Sequence, residues 1–225
     1  MATKTRCPGL IGDLDKTLLE RGYTLPEIAE QLGATVDDLR YRNRVHWKVN
    51  IHTAFKARLE REGIPSRLSI EPDFGHWFSG LFDGEGCLVA WHNPKNGHTH
   101  MNVQLSCRVD DEQMLNYIQA HLGGITRPKP TVAPSKPQTI WKIGNLKDLM
   151  EVVVPLFDQF PLHSKKAREY ILWRELIVGY YIATLGGVPG KNIISMPNRE
   201  LFNLQVKRLC QEIHAIRFPW ERVVR

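Results

Sequence analysis

"FSGLFDGEG", Phe78 to Gly86, closes an apolar run with three glycines and two carboxylates. Each glycine inside a helix costs about 1 kcal/mol relative to alanine. A helix that keeps Gly80 and Gly84 one turn apart on one face must therefore gain from having no side chain there. Beyond the stretch the period changes from helical to two. In "HMNVQLSCRVD" (100–110) Met101, Val103, Leu105, Cys107 and Val109 are apolar, while Asn102, Gln104, Ser106, Arg108 and Asp110 alternate with them. That pattern predicts a half-buried strand with one polar face turned to solvent or a ligand. "CLVAWHNP" (87–94) reads as the strand before it, joined through Asn96-Gly97, a strong hairpin signal. The phase of this first strand is open: Trp91, Asn93 and Lys95, or their neighbours, face outward.

Further along, "EQMLNYIQAHLGG" (112–124) reads as an amphipathic helix closed by glycine, and "ITRPKPTV" (125–132) with "QTIWKIG" (138–144) as a second strand pair. Helices follow at 145–160, 164–185 and 198–216. The order is helix, hairpin, helix, hairpin, helices: an α+β chain whose antiparallel sheet is covered by helices on one face and open on the other.

Upstream, "TLPEIAEQL" (24–32) carries Thr24 as an N-cap, Pro26 in the first turn and apolar residues at helical spacing. Gly33 stops it, and a second helix starts behind Thr35 with Asp37 and Asp38 in its first turn. Two short helices across a glycine turn match a helix-turn-helix. From Leu39 to Leu59 the chain has six Lys/Arg, two histidines and no carboxylate. Arg40, Arg42, Arg44 and Lys48 in this run are the candidate phosphate contacts; the alternative is a helical hairpin that only packs on the main domain. "EGIPSRLSIEPD" (62–73) reads as a linker. The expected organisation is a helical region over 1–66 and a main domain over 67–225.

Composition narrows the function class. The chain has 225 residues, 42% hydrophobic, and a formal charge of +6, with a pI near 9.2, a balance that favours an anionic partner such as nucleic acid. No run of eighteen apolar residues is present, so no membrane span is expected. "MATKTRCPGLIGDLDK" lacks the apolar core of a secretory signal, and the expected location is cytoplasmic or organellar. Four cysteines lie far apart without CxxC spacing, which predicts free thiols.

"FSGLFDGEG" is similar to the signature of the LAGLIDADG homing endonucleases, and the order of elements behind it is the order of that family's domain. "FPLHSKK" (160–166) before an aromatic-containing helix also resembles the family, over roughly residues 74–210 in all. The resemblance implies an αββαββα core with a saddle-like sheet, and a site-specific, metal-dependent double-stranded DNA endonuclease. It implies Glu85, at the eighth motif position, as catalytic and metal-binding acid, with the Gly84 carbonyl as second ligand for Mg²⁺. Asp83, at the sixth position, is read as structural. Lys165 is carried over as the basic residue at the scissile phosphate, with Lys166 as the adjacent alternative. Glutamate stands at Glu85 where the family more usually has aspartate. The open sheet face implies base contacts by Asn102, Gln104, Ser106 and Arg108, joined by Arg127 and Lys129. One motif copy implies a homodimer across Phe78, Gly80, Leu81 and Gly84; "ELIVGYYIATLGG" (175–187) mimics the pattern without its acids. The competing readings are a non-cleaving DNA-binding regulator and a maturase acting on intron RNA.

Overall fold

The computed structural model describes residues 12–93, 95, 98–130, 136–184 and 199–219. The Asn96-Gly97 turn, Leu185–Gly187 and the N-terminal "MATKTRCPGLI" lie outside them. Contacts divide the chain into two compact units, Met1–Ile64 and Pro65–Arg225.

The first unit holds α1 (Gly12–Glu20), α2 (Leu25–Leu32), α3 (Val36–Arg42) and α4 (Ile51–Glu62), with a π-helical turn over Asn43–Trp47. Its core is Leu19, Ile28, Ala29, Leu39 and Ala54. Thr24 and Glu27 form a reciprocal capping box at the start of α2, and Gly33, at φ 62°, ends that helix in the left-handed conformation. Thr35 caps α3 by accepting the Asp38 N–H at 3.1 Å.

In the second unit, α5 (Pro72–Glu85) leads directly into β1 (Gly86–His92) and β2 (Thr99–Arg108). Then come α6 (Glu112–Leu122), β3 (Ile125–Lys129) and β4 (Gln138–Ile143). The strands form one antiparallel sheet of order β1-β2-β4-β3. The expected single helix over 145–160 is instead α7 (Leu146–Asp148), a π-helical turn over Leu149–Val153 and α8 (Val154–Gln159). Pro155, which lacks an N–H to donate, falls just after the widened turn, where it sits in the first turn of α8. Finally α9 (Lys165–Ala183) and α10 (Arg199–Arg217) pack on each other and on β1. The 62–73 stretch contains no regular structure over 63–71, and Arg67 donates its N–H to the Glu151 carbonyl at 2.9 Å.

Strand alternation sorts the sheet. Leu88, Val103, Leu105, Trp141 and Ile143 are essentially fully buried on the helix side. Phe78 meets Trp141 edge-on at 5.7 Å and Phe82 lies 4.9 Å from Phe157, so α5 packs its aromatic edge on the same core. Beneath α9, buried Glu169 is paired with Arg217 at 3.1 Å. Arg217 also donates to the Leu88 carbonyl on β1, and Trp173 Nε1 donates to the Val89 carbonyl at 3.1 Å.

The glycines of α5 and its end differ in what they permit. A Cβ at Gly75 would collide with the Phe160 ring, and one at Gly86 with the Phe82 ring; both rings are buried. Ser79 donates to the Phe160 carbonyl at 2.7 Å in the same seam.

The end of α5 is tied to the start of α9 by Asp83. Its carboxylate accepts the His163 N–H at 2.7 Å, the Ser164 N–H at 3.3 Å and the Ser164 hydroxyl at 2.7 Å. Burial pushes the Asp83 carboxyl up, but these hydrogen bonds, with the charge of Lys166, outweigh it and hold the group below its usual value.

Two outcomes follow from this packing. Gly75→Ala should lower stability by about 1–3 kcal/mol, since overfilling displaces a buried ring; an unchanged urea midpoint would contradict it. Asp83→Asn should cost about 1 kcal/mol at neutral pH, discounted for the partial exposure of the site. Because the folded-state value is depressed, that difference is fully present above about pH 4 and shrinks as pH falls further. Parallel acid titrations of the two proteins check the convergence.

Candidate functional site

The carbonyls of the last turn of a helix have no intrahelical donors and carry the negative end of its dipole. At the end of α5 a side chain from α9 takes up two of them: Lys166 Nζ donates to the Asp83 carbonyl at 2.6 Å and to the Gly84 carbonyl at 3.3 Å. Ser164 orients this lysine by capping α9, accepting the Lys166 N–H at 3.2 Å. Lys165, the residue carried over for this role, is exposed and its side chain has no polar partner among the described residues. The lysine at the end of α5 is therefore Lys166, the adjacent alternative. The helix starts at residue 165, and a one-residue step turns a side chain by about 100°, which takes Lys165 away from the motif and brings Lys166 to it.

Glu85 is the last residue of α5 and is exposed, as is Gly84. The donor set at this end is a carboxylate and a carbonyl, hard oxygen ligands of the kind that Mg²⁺ takes together with water. The Gly84 carbonyl is engaged by the Lys166 ammonium, so a cation held by this carbonyl and Glu85 would share it with the lysine. Among the described residues no group of three His, Cys, Asp or Glu gathers to hold a metal.

The outward stripe of α5 consists of Asp73, Trp77, Gly80 and Gly84, exposed, with Leu81 half-buried. Among the described residues a Cβ at Gly80 or Gly84 would meet nothing within 4 Å, so their packing requires glycine at neither. Phe78 is not on this stripe. At 1% exposure it belongs to the chain's own core, and its place in an expected interface is corrected: three residues of helix separate it from Leu81, but it turns to the sheet with Phe74 and Phe82.

On the face of the sheet away from the helices, register aligns Cys87 with Gln104, Gln104 with Lys142, and Lys142 with Ile125. Ser106 and Arg127 flank Ile140, and Arg108 and Lys129 flank Gln138. Arg108 is paired with Asp110 at 2.7 Å, an exposed contact that a competing anion can open. Asn102 departs from the open polar face expected of it: it is 6% exposed and its Oδ1 has no hydrogen-bond partner among the described residues. It is sunk between Val89 on β1 and Gly144, where an added methyl would lie 3.7 Å from Asn102 Cβ and 3.3 Å from Lys142 Cε.

The phase of β1 resolves to Cys87, Val89 and Trp91 outward, and Trp91 stacks on His100 at 5.1 Å. Lys142 was missed, although "QTIWKIG" carries the signal: Trp141 and Ile143 inward leave Lys142 outward. In the first unit the basic run is partly self-neutralised. Arg40 pairs with Asp37, Lys56 with Glu60 and Arg58 with Glu62. Arg44 lies over the Tyr41 ring at 5.8 Å, and Lys48 sits in the left-handed region at φ 51°. Arg42 lies in the last turn of α3. No helix among the described residues is long and apolar enough to cross a membrane.

Comparison with known proteins agrees with this layout. Residues 78–177 match the family model described as LAGLIDADG endonuclease. The probable intron-encoded endonuclease Cox1-I1b of Schizosaccharomyces pombe (strain 972 / ATCC 24843) is 28% identical over 114 residues, covering 49% of this chain and 28% of that protein. Among solved structures, the LAGLIDADG homing endonuclease I-GzeII in complex with DNA target aligns with a TM-score of 0.50 at 11% identity, over 78% of this chain and 62% of that one. The homing endonuclease I-TnaI aligns with a TM-score of 0.42 at 22% identity, over 65% of this chain and 99% of that one. The chain thus spans less than a third of the curated relative's length, and the likeness to I-GzeII, at 11% identity, speaks to fold alone. The motif, the four-stranded sheet and the family match coincide over the same residues, and over 78–177 the chain is similar to the LAGLIDADG endonuclease family.

Proposed function

We propose that the protein is a site-specific double-stranded DNA endonuclease that hydrolyses phosphodiester bonds with Mg²⁺, acting as a homodimer at a pseudo-palindromic target. The observation that carries this reading is the end of α5, where the exposed Glu85 follows Gly84, whose carbonyl accepts from the Lys166 ammonium. Glu85 and the Gly84 carbonyl would hold the cation. Its chemistry, when bound, is activation of water and neutralisation of charge on the phosphate. Lys166 replaces Lys165 as the residue that sets positive charge against the scissile phosphate, where charge grows in the transition state.

The homodimer explains the bare stripe on α5. Two copies crossing at Gly80 and Gly84 approach more closely than side chains normally allow, with Leu81 alongside, and bring two Glu85 carboxylates toward one centre. On the sheet, Gln104, Ser106, Arg108, Arg127 and Lys129 carry donors and acceptors suited to base edges in the major groove. Lys142 joins them. Asn102, buried beneath this face, is left out of the set. In the first unit, Arg42, Arg44 and Lys48 would contact phosphates, with α2 and α3 as a helix-turn-helix.

A randomised DNA duplex library incubated with the protein and Mg²⁺ should yield cut ends at one recurring sequence; intact duplexes that are nonetheless bound would favour the non-cleaving regulator. Glu85→Gln should abolish cleavage and leave affinity largely intact. Lys166→Ala should slow cleavage at least about a hundredfold, the scale of losing one preorganised charge contact, while Lys165→Ala should not. Gel shifts alongside single-turnover cleavage separate the two quantities.

The N-terminal unit has its own test. Replacing Arg44 and Lys48 together by alanine should reduce the slope of log affinity against log salt by about 1.8 per protomer, at about 0.9 for each phosphate that is no longer neutralised. An unchanged slope would reduce this unit to a structural appendage.

A further inference from the structure

Apolar side chains stand among the arginines of the first unit, where a surface that only tracks phosphates has no use for them. Leu39 of α3 is fully buried and joins Ile28 and Ala29 in the core of that unit. Two residues on is about 200° around the helix, so Tyr41 stands opposite Leu39, and it is 54% exposed. Asp37, one turn before it, and Val45, one turn after it in the π-helical continuation of α3, are exposed along the same line. Arg40 and Arg44 flank this line on one side and Arg42 on the other. Arg40 holds Asp37 at 3.0 Å, and Arg44 lies over the Tyr41 ring at 5.8 Å. The helix that carries the line is itself held: Gly33 turns the chain at φ 62° behind α2, and Thr35 caps the start of α3.

We propose that this line is a base-reading edge: α3 lies in the major groove with Tyr41 and Val45 against thymine methyl groups, and the first unit reads a subsite of its own. The inference rests on the double-stranded DNA target proposed above and goes beyond the phosphate contacts assigned to this unit. Shape and charge select the duplex as the occupant. A helix with its side chains is about 10–12 Å across, and the major groove is about 12 Å wide. In a helix-turn-helix the second helix takes that place while the first crosses the backbone. Seated so, the outermost line faces the base edges, and the arginines on its two flanks face the two phosphate walls. The composition of the line separates base reading from phosphate tracking. Thymine is the base that presents a methyl group in this groove, and an apolar side chain is what meets it. Asp37 offers an acceptor for the amino group of cytosine, and its pairing with Arg40 offsets its repulsion of phosphates. On a surface built for phosphates alone, that carboxylate would only weaken binding.

Binding selection from a randomised duplex library, with the full chain in EDTA so that no strand is cut, tests this with Tyr41→Ala. The wild type should enrich thymines in a block that Tyr41→Ala no longer selects, while the remaining positions stay enriched. Replacing those thymines by deoxyuridine, which lacks only the methyl group, should weaken the wild type about fourfold per contacted methyl and leave Tyr41→Ala unaffected. The salt dependence of affinity should be the same for both proteins, since no phosphate contact is lost. Tyr41 is exposed, so circular dichroism should match the wild type, and Tyr41→Phe, which keeps the ring, should keep the thymine block. Equal binding of thymine and deoxyuridine targets by the wild type overturns the inference and leaves DNA binding standing. So does a Tyr41→Ala protein that selects the same positions as the wild type. A chain that binds no duplex overturns both.

Discussion

Asp83 gathers the N–H groups of His163 and Ser164 and the Ser164 hydroxyl, and so fixes the start of α9 against the end of α5 across 80 residues of sequence. Everything chemically interesting in the molecule depends on that contact. Ser164 can cap α9 and orient Lys166 only because it is itself held. Lys166 reaches the Asp83 and Gly84 carbonyls only because α9 begins where it does. A carboxylate also suits the task better than a neutral group, since charge-assisted hydrogen bonds to backbone N–H groups are the stronger class.

The same helix has two faces with opposite demands. Inward, Phe74, Phe78 and Phe82 fill the space between the sheet and α8, and Gly75 and Gly86 are small because buried rings press on them. Outward, Gly80 and Gly84 are small although none of the described residues presses on them. Identical residues thus serve an internal and an external constraint, separated by about 100° per residue of helix.

That distinction marks the limit of what the sequence reveals. The hairpins, the alternation of β2 and the Thr24 and Thr35 caps are legible because each rests on contacts within a few residues. The role of Asp83 was readable from its motif position. Which lysine meets the motif was not, because it depends on the exact residue at which α9 starts, and a helix boundary is set by long-range capping. The burial of Asn102 was invisible for a similar reason. Its neighbours are Val89 on β1 and Gly144 just past the end of β4, and only the sheet's register unites them. The break at 149–153 escaped notice because a widened turn leaves the apolar pattern almost unchanged.

The latch formed by Arg217 has a consequence for the way this sheet behaves among its own kind. An open antiparallel sheet has two edges whose unpaired backbone groups invite strands from other molecules. The β3 edge is short and contains Pro128, which offers no N–H. The β1 edge is longer and has no proline, yet its carbonyls at Leu88 and Val89 are engaged by Arg217 and Trp173. Arg217 is in turn held by a buried carboxylate, Glu169, that would be left uncompensated without it. The final turn of α10 therefore satisfies a backbone acceptor of β1 from outside the sheet, through a residue that belongs to none of its strands.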